Sequence, residues 1–301
     1  MKNIVRGVPR ESYYVQTGSM YDNPFGAARE QILQLEKDLP AEKVAQAIYG
    51  KYVENSGLTF AAKPLQNLFY GKSLKVESWY SPLVETLPPL TDKYGEWSKV
   101  KRTFIGAADL ARQNDYTVIM VFDTTLTPKA PAQLVWYERM NRVSWESIYE
   151  RIAYASVRFR TELLIDSTGM GGDVVKDELE NRFLCMNCRT TVPFTLSGGS
   201  TTCPSCEKTG RRYDIEGFNF SGRRKENAIT RLQQALAYGE GWQHGKFGLL
   251  RMPRISQVAD ELTFYRLDDK GLETDAVMTL AMVASQLDFE ETGAAFGSIH
   301  G

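Results

Sequence analysis

Histidine is almost missing from this chain: His244 and His300 are the only two among 301 residues. That scarcity excludes a histidine-based nucleophilic triad and a histidine-rich metal centre as the main chemistry. Long apolar runs are missing as well. None approaches the roughly 18 residues that identify a membrane span, so no membrane partner is expected. Neither sign of charge dominates, since 36 Lys and Arg stand against 37 Asp and Glu, a formal net charge of −1. Nucleic acid therefore meets no global attraction, and any such binding must come from local patches. The stretch Met1 to Glu11 has basic side chains but no apolar core after them, so no signal peptide is expected and a cytosolic protein is the default. An ATP-hydrolysing core is also missing. Gly71-Lys72-Ser73 lacks the upstream glycine of a phosphate loop, and Gly169-Met170-Gly171-Gly172-Asp173 lacks its lysine. What is present is an ordinary globular composition, 43% hydrophobic and 24% charged, long enough for one large domain plus a smaller piece.

The four cysteines form one constellation. Cys185-Met-Asn-Cys188 and Cys203-Pro-Ser-Cys206 are two Cys-x-x-Cys knuckles separated by residues 189–202. The loop between them holds glycines, serines and threonines and few large apolar residues, so it has little core of its own. A tetrahedral clamp of one Zn²⁺ on four sulfurs supplies what the loop lacks, and four thiolates leave no open position for catalysis. Two disulfides are the other reading, which a cytosolic chain disfavours.

Three acids stand at the ends of regular elements. Asp109 ends the apolar run 104–108, Asp166 ends the run 163–165 before a glycine-rich turn, and Asp275 opens the apolar helix 276–287. Taken singly each has a plain explanation, namely a turn cap or an acid favoured by a helix dipole. Thr274 before Asp275 reads as a helix N-cap. As a set, carboxylates from distant parts of a chain suit a hard cation such as Mg²⁺, which binds a few carboxylates plus the phosphates of its substrate. Asp115 lies on the same short turn as Asp109, and two carboxylates so close repel unless a cation sits between them.

Periodicity organises the chain. The first hundred residues contain a short strand at 13–15, helices around 27–35 and 41–53, and then proline-punctuated apolar pieces that suit a linker or wrapped extension. From residue 101 the pattern is α/β. Strands are expected at 103–108, 116–123 and 132–138, a helix at 145–159, a strand at 162–166 and a helix at 173–180. After the cysteine module come a strand at 213–220, a helix at 224–238, a strand at 247–251 and helices at 256–264 and 275–288. A three-strand meander, a crossover helix and further strands is the order of a ribonuclease H-like mixed β-sheet flanked by helices. Basic residues gather after the module: Lys208, Arg211 and Arg212, then Arg223, Arg224 and Lys225. Charge runs are usually solvated faces. Ser221–Lys225, however, lies between a strand and a helix N-terminus, where phosphate contacts form readily.

These segments, in order, resemble a family. IGAADLARQNDYTVIMVFD (105–123), TELLIDSTGMGGDVVKDEL (161–179), FNFSGRRKENAITRL (218–232), ADELTFYRL (259–267) and LETDAVMTLAMVASQL (272–287) are similar to the nuclease domain of tailed-phage large terminase subunits. Upstream, DNPF (22–25) and IYGKYVENSGLTF (48–60) resemble the stretch that closes the terminase ATPase domain. The resemblance covers most of residues 12–287. It implies an N-terminal extension over 1–100 and a ribonuclease H-like nuclease domain over 101–301, into which the cysteine knuckles insert a zinc ribbon at 185–206, a piece that is not general in the family. It also implies an endonuclease acting in the host cytoplasm, which cuts concatemeric double-stranded viral DNA with two Mg²⁺ or Mn²⁺ ions. Its partners would be the ATPase portion, the small terminase subunit and the portal protein. In this reading Asp109, Asp166 and Asp275 are the metal-binding acids and Asp115 an accessory one, with Arg211, Arg212, Arg223, Arg224 and Lys225 on DNA. Two ions about 4 Å apart flank the scissile phosphate in such sites, and Asp109 would bridge them.

The chain departs from the family in two respects. The last motif often carries two adjacent aspartates, often after a histidine, whereas here Glu273 and Thr274 precede a single Asp275, which makes Glu273 a reserve ligand. The ATPase motifs are absent, so the chain would be the C-terminal part of a terminase or a separately encoded nuclease. The other readings are a junction resolvase or transposase of the same fold, and a non-catalytic zinc-ribbon docking module.

Overall fold

A strand that is apolar at nearly every position needs cover on both faces, and Thr117–Asp123 is such a strand. Val118, Met120 and Phe122 face one hydrophobic cluster, while Ile119 and Val121 face the other. The computed structural model describes residues 18–23, 26, 28–38, 44–50, 59–88, 99–111, 115–237, 248–267 and 272–287. The chain divides into two compact units, Met1–Ser56 and Gly57–Gly301.

In the first unit, a 3₁₀ turn at Met20–Asp22 is closed by the Ser19 N–H, which donates to Asp22 Oδ2 at 2.7 Å. Helix α1 (Arg29–Asp38) and a single π-helical turn (Val44–Ile48) follow, and Ile32 and Ile48 are their buried side chains. The strand expected at 13–15 and both ends of the helix expected at 41–53 lie outside the described residues.

The second unit opens with α2 (Ala62–Leu68), β1 (Phe69–Leu74), β2 (Ser78–Tyr80) and α3 (Leu83–Thr86). A meander follows: β3 (Phe104–Asp109), β4 (Thr117–Asp123) and β5 (Ala132–Met140). Helix α4 (Trp145–Phe159), β6 (Leu163–Asp166) and α5 (Gly169–Glu180) come next. Strands β7 (Arg182–Cys185) and β8 (Thr190–Pro193) form a separate hairpin. The chain then resumes with β9 (Ile215–Phe218), α6 (Arg223–Ala237), β10 (Leu250–Ile255), α7 (Ser256–Phe264) and α8 (Asp275–Ser285).

The main sheet has the order β1-β10-β5-β4-β3-β6-β9, with β2 added antiparallel to β5. Along that path β4 is the one antiparallel strand, so β3, β6 and β9 point their carboxyl ends to one edge. The strands β5-β4-β3-β6-β9 form the ribonuclease H-like core, a mixed sheet with helices on both faces. α6, α7 and α8 cover one face through the larger cluster, and α4 and α5 the other. Burial of each large apolar side chain contributes roughly 1.5–3 kcal/mol, so these two layers are what holds the sheet between its helices. Gly106 is required in β3, because a Cβ there would stand 2.5 Å from Leu163 Cδ2 and 3.0 Å from the Met120 carbonyl.

Two differences from the sequence pattern have physical reasons. Residues 59–88, for which prolines suggested a linker or wrapped extension, bury Phe60, Leu65, Leu68 and Leu87 and add β1 and β2 to the sheet. Helix α5 begins at Gly169, directly after Thr168, so the glycine-rich stretch is the first turn of a helix and not a loop before it. Each glycine costs a helix about 1 kcal/mol relative to alanine, and this first turn is helical despite that cost.

Candidate functional site

Register brings two of the acids together. Ala108 of β3 pairs with Ile165 of β6 in a parallel ladder, so Asp109 and Asp166 occupy the next positions at adjoining strand ends, about 4.8 Å apart in the hydrogen-bonding direction. Side chains alternate along a strand. Asp109 therefore shares its face with Ala107, and Asp166 with Leu164, and both of those belong to the cluster under α8. Helix α8 crosses this face against β3 and β4. Gln286 near its end donates to the Gly106 carbonyl at 3.0 Å, and Thr279 donates to the Val118 carbonyl at 3.3 Å. The start of α8, and with it Asp275, thereby lies at the carboxyl end of β3. The Tyr116 N–H holds Asp275 Oδ2 at 3.2 Å.

The electrostatics record this convergence. Asp109 is 8% exposed. Burial first, and then the charges of Asp166, Asp275 and Glu261, hold its carboxyl well above the usual range. Burial also raises Asp275 to about 6, with Asp115 and Glu273 adding to the rise and the Tyr116 N–H and Arg139 opposing it. Asp115 is exposed, and the acid it acts on is Asp275. Thr168 donates its N–H to Asp166 Oδ1 at 2.7 Å, which fixes one carboxylate oxygen. Among the described residues, none of Asp109, Asp166 and Asp275 makes an ion pair, and Arg139 acts on Asp275 only from beyond ion-pair distance. A cluster of unpaired, partly buried oxygen donors has the chemistry of a hard divalent-cation site. Glu273, the reserve ligand, is engaged elsewhere: its Oε2 lies 2.8 Å from Arg139 Nη2.

Glu261 is the acid that sequence reasoning passed over. It sits in α7 among Val258, Ala259 and Leu262, and it is itself 8% exposed. Its Oε2 accepts from the Ala276 N–H at 2.8 Å, and its Oε1 is 3.7 Å from Arg139 Nη2. Burial raises its carboxyl to about 7. Thr274, which reads as a helix N-cap in sequence, makes no side-chain capping bond. The first turn of α8 is capped from another helix.

The basic residues separate into two groups. The Ser167 N–H donates to the Phe218 carbonyl and the Phe220 N–H to Thr168 Oγ1, both at 2.9 Å. The end of β9 is thus sewn to the loop after Asp166, and exposed Arg223 and Arg224, with half-buried Lys225, begin α6 a few residues on. Arg211 and Arg212 lie at the other edge. Asp214 accepts from the Leu163 N–H at the amino end of β6, and Arg211 pairs through its backbone with Leu184 of β7. β9 separates the two groups by four residues, roughly 13 Å of strand. The Arg212 guanidinium covers the Phe194 ring at 4.6 Å.

All four cysteine sulfurs lie within 4.8 Å of one another, with Cys185–Cys206 at 3.5 Å and Cys188–Cys203 at 3.9 Å. Tetrahedral Zn–S bonds of about 2.3 Å put sulfurs roughly 3.8 Å apart, so the cluster has the dimensions of a zinc ribbon. Hydrogen bonding to Cys206 and Cys185 pushes the Cys188 thiol up to about 12, and four thiolates at these separations repel unless a cation sits among them. Leu184 of β7 packs on Ala153 and Val157 of α4, which seats the module on the sheet's amino edge. Among the described residues this is the only set of three or more His, Cys, Asp or Glu whose ligand atoms all approach so closely. The acids are more open, and a cation between them would complete its shell with water or substrate oxygens.

No protein-family model matches the sequence, and no curated protein matches it either. Among solved structures, the chain is similar to the large terminase nuclease from thermophilic phage G20c. With bound zinc, the likeness is at 19% identity over 76% of this chain and 99% of that one, with a TM-score of 0.47. With bound magnesium it is at 17% over 77% and 98%, with a TM-score of 0.47. The large terminase nuclease domain of Thermus phage P74-26 is similar at 17% identity over 77% and 97%, with a TM-score of 0.45. Among the described residues, no helix is long and apolar enough to cross a membrane.

Proposed function

We propose that this protein is a metal-dependent DNA endonuclease of a phage packaging terminase, with Asp109, Asp166 and Asp275 as its metal-binding acids. The observation that supports this most is the meeting of Asp109, Asp166 and Asp275 at one sheet edge with no ion pair to neutralise them. These three would hold Mg²⁺ or Mn²⁺, and such ions supply an activated water and charge neutralisation at the scissile phosphate and leaving oxygen. Asp109 is shielded from solvent between β3 and α8. The Thr168 N–H keeps Asp166 in one orientation, and the Tyr116 N–H does the same for Asp275. Asp115, exposed on the turn before β4, stands as an accessory acid. Arg223, Arg224 and Lys225 lie beside the Asp166 loop, where they would hold the duplex backbone by phosphate contacts. Assignment to packaging, with the ATPase portion, small terminase subunit and portal as partners, rests on the collinear motifs from residue 105 to residue 287. The cysteine cluster would carry one structural Zn²⁺, and Arg211 and Arg212 beside it would extend DNA contact to the far edge.

The test is Mn²⁺-dependent nicking and linearisation of plasmid by the full chain. Asp109→Ala and Asp166→Ala should each reduce cutting at least 100-fold while keeping the circular dichroism of the wild type. Undiminished cutting by both variants would overturn the proposal. A preference for four-way junctions over linear duplex would instead indicate a resolvase.

A further inference from the structure

Asp275 is held by more than its own helix. The Tyr116 N–H that binds it belongs to a residue whose ring lies 3.3 Å below the Arg139 guanidinium. Arg139 is 6% exposed and reaches Glu273 at 2.8 Å and Glu261 at 3.7 Å. Glu261 closes the circuit by accepting from the Ala276 N–H, the amide directly after Asp275. α8 has no side-chain cap of its own at Thr274. A buried carboxylate from outside α8 thus caps the helix's first turn, and a buried guanidinium holds Glu273 just ahead of it.

Resting on the nuclease reading, we infer that Glu261 is the positioning residue for Asp275. By capping α8 and retaining Arg139, it holds the Asp275 carboxylate toward Asp109. Arg139 is close enough to act on Asp275 electrostatically. With Glu261 neutralised, one of the two carboxylates that occupy the guanidinium is gone. Arg139 is then drawn to Asp275, where it competes with a divalent cation for the same oxygens. The placement fits a general pattern in which groups behind the ligands orient them, and their loss lowers metal affinity by about 10- to 100-fold.

The test is Mn²⁺ binding to the full, zinc-loaded chain, read by electron paramagnetic resonance and by calorimetry, with thermal melting alongside. Glu261→Gln keeps an oxygen for the Ala276 N–H and removes the charge. It should weaken Mn²⁺ binding about 10- to 100-fold, with a melting temperature close to that of the wild type, and cutting should recover at high Mn²⁺. Adding Arg139→Gln should restore part of the lost affinity, because the competing cation is gone. Should Glu261→Gln fail to fold, Glu261→Asp retains the charge with shorter reach and should weaken binding in the same direction. Wild-type affinity in the soluble Glu261 variant would overturn the inference, as would further weakening by Arg139→Gln. Loss of all Mn²⁺ binding, as Asp109→Asn should show, would make Glu261 a ligand and not a positioning residue. If the wild type itself bound no Mn²⁺, or if Asp109→Asn bound it normally, the nuclease reading would fail first.

Discussion

In the proposed metal site Asp109 and Asp275 would carry opposite demands in one carboxylate each. Burial favours the protonated acid, and a divalent cation needs the ionised one. A group whose proton is held more tightly in the folded chain adds stability at low pH and loses it as pH rises through its folded value. For Asp275 that interval runs from its ordinary 3.8 up to about 6, and for Asp109 it extends further upward. Chelated protein should therefore become less stable as pH rises from 3.8 to about 6 through Asp275, and further upward through Asp109, while stabilisation by Mn²⁺ grows over the same rise as bound protons are released. Melting scans with and without Mn²⁺ across that range check both slopes. Asp109→Asn should remove the Mn²⁺ effect and raise the metal-free melting temperature by about 2–4 °C, as expected for relief of about 1 kcal/mol in a domain of this size. An unchanged Mn²⁺ shift in that variant would place the cation elsewhere.

At the scale of elements, what could be read from the sequence followed burial. β3 and β4 are legible because they are covered on both faces and run nearly unbroken in apolar residues, as Val118–Phe122 does, and β5 because of its apolar centre Leu134–Tyr137. α4 spans the residues its stripe of Trp145, Ile148, Tyr149 and Ile152 predicts. β1 is not legible. It is an edge strand whose middle residues are exposed, so no alternation marks it. Glu261 was hidden for another reason: its partner Arg139 lies in β5, far along the chain, and its neighbours look like any core helix. The separation of Arg212 from Arg223 is likewise invisible, because nearness in sequence conceals a whole strand between them. The hairpin β7–β8 makes a different prediction. Its own core is small, centred on Phe183, Val192, Cys185 and Cys203, so its order should depend on the cation. Chelation at neutral pH, or Cys203→Ser, should expose the amides of 182–212 to fast hydrogen exchange. The amides of β3 and β4 should keep their protection, and concerted loss across the main sheet would refute the division.

For the whole molecule, a net charge of −1 leaves the proposed DNA binding to whatever local patches the fold assembles. Two such patches stand at opposite sheet edges, and only Arg223, Arg224 and Lys225 adjoin the acids. Removing one phosphate-binding cation reduces the slope of log affinity against log salt by about 0.9. Arg223→Ala with Arg224→Ala should thus flatten that slope by up to about 2 and slow cutting at moderate salt. Arg211→Ala with Arg212→Ala should leave cutting of short duplexes near wild type and, if those residues do touch DNA, alter affinity only for longer ones. Filter binding over a salt series with duplexes of two lengths separates the cases. Equal effects of both pairs on short duplexes would mean that DNA spans the two edges.

The cysteine module enters and leaves the fold at a single point. α5 delivers the chain to the amino edge, Arg182–Arg212 form the ribbon, and β9 takes the chain back beside β6. Connections between a helix and the next parallel strand are commonly two to six residues, so the whole excursion is a cassette that a short loop could replace. A fluorophore or affinity handle built in its place would report on the protein from the side of the sheet away from the acids, without a label entering the proposed metal site.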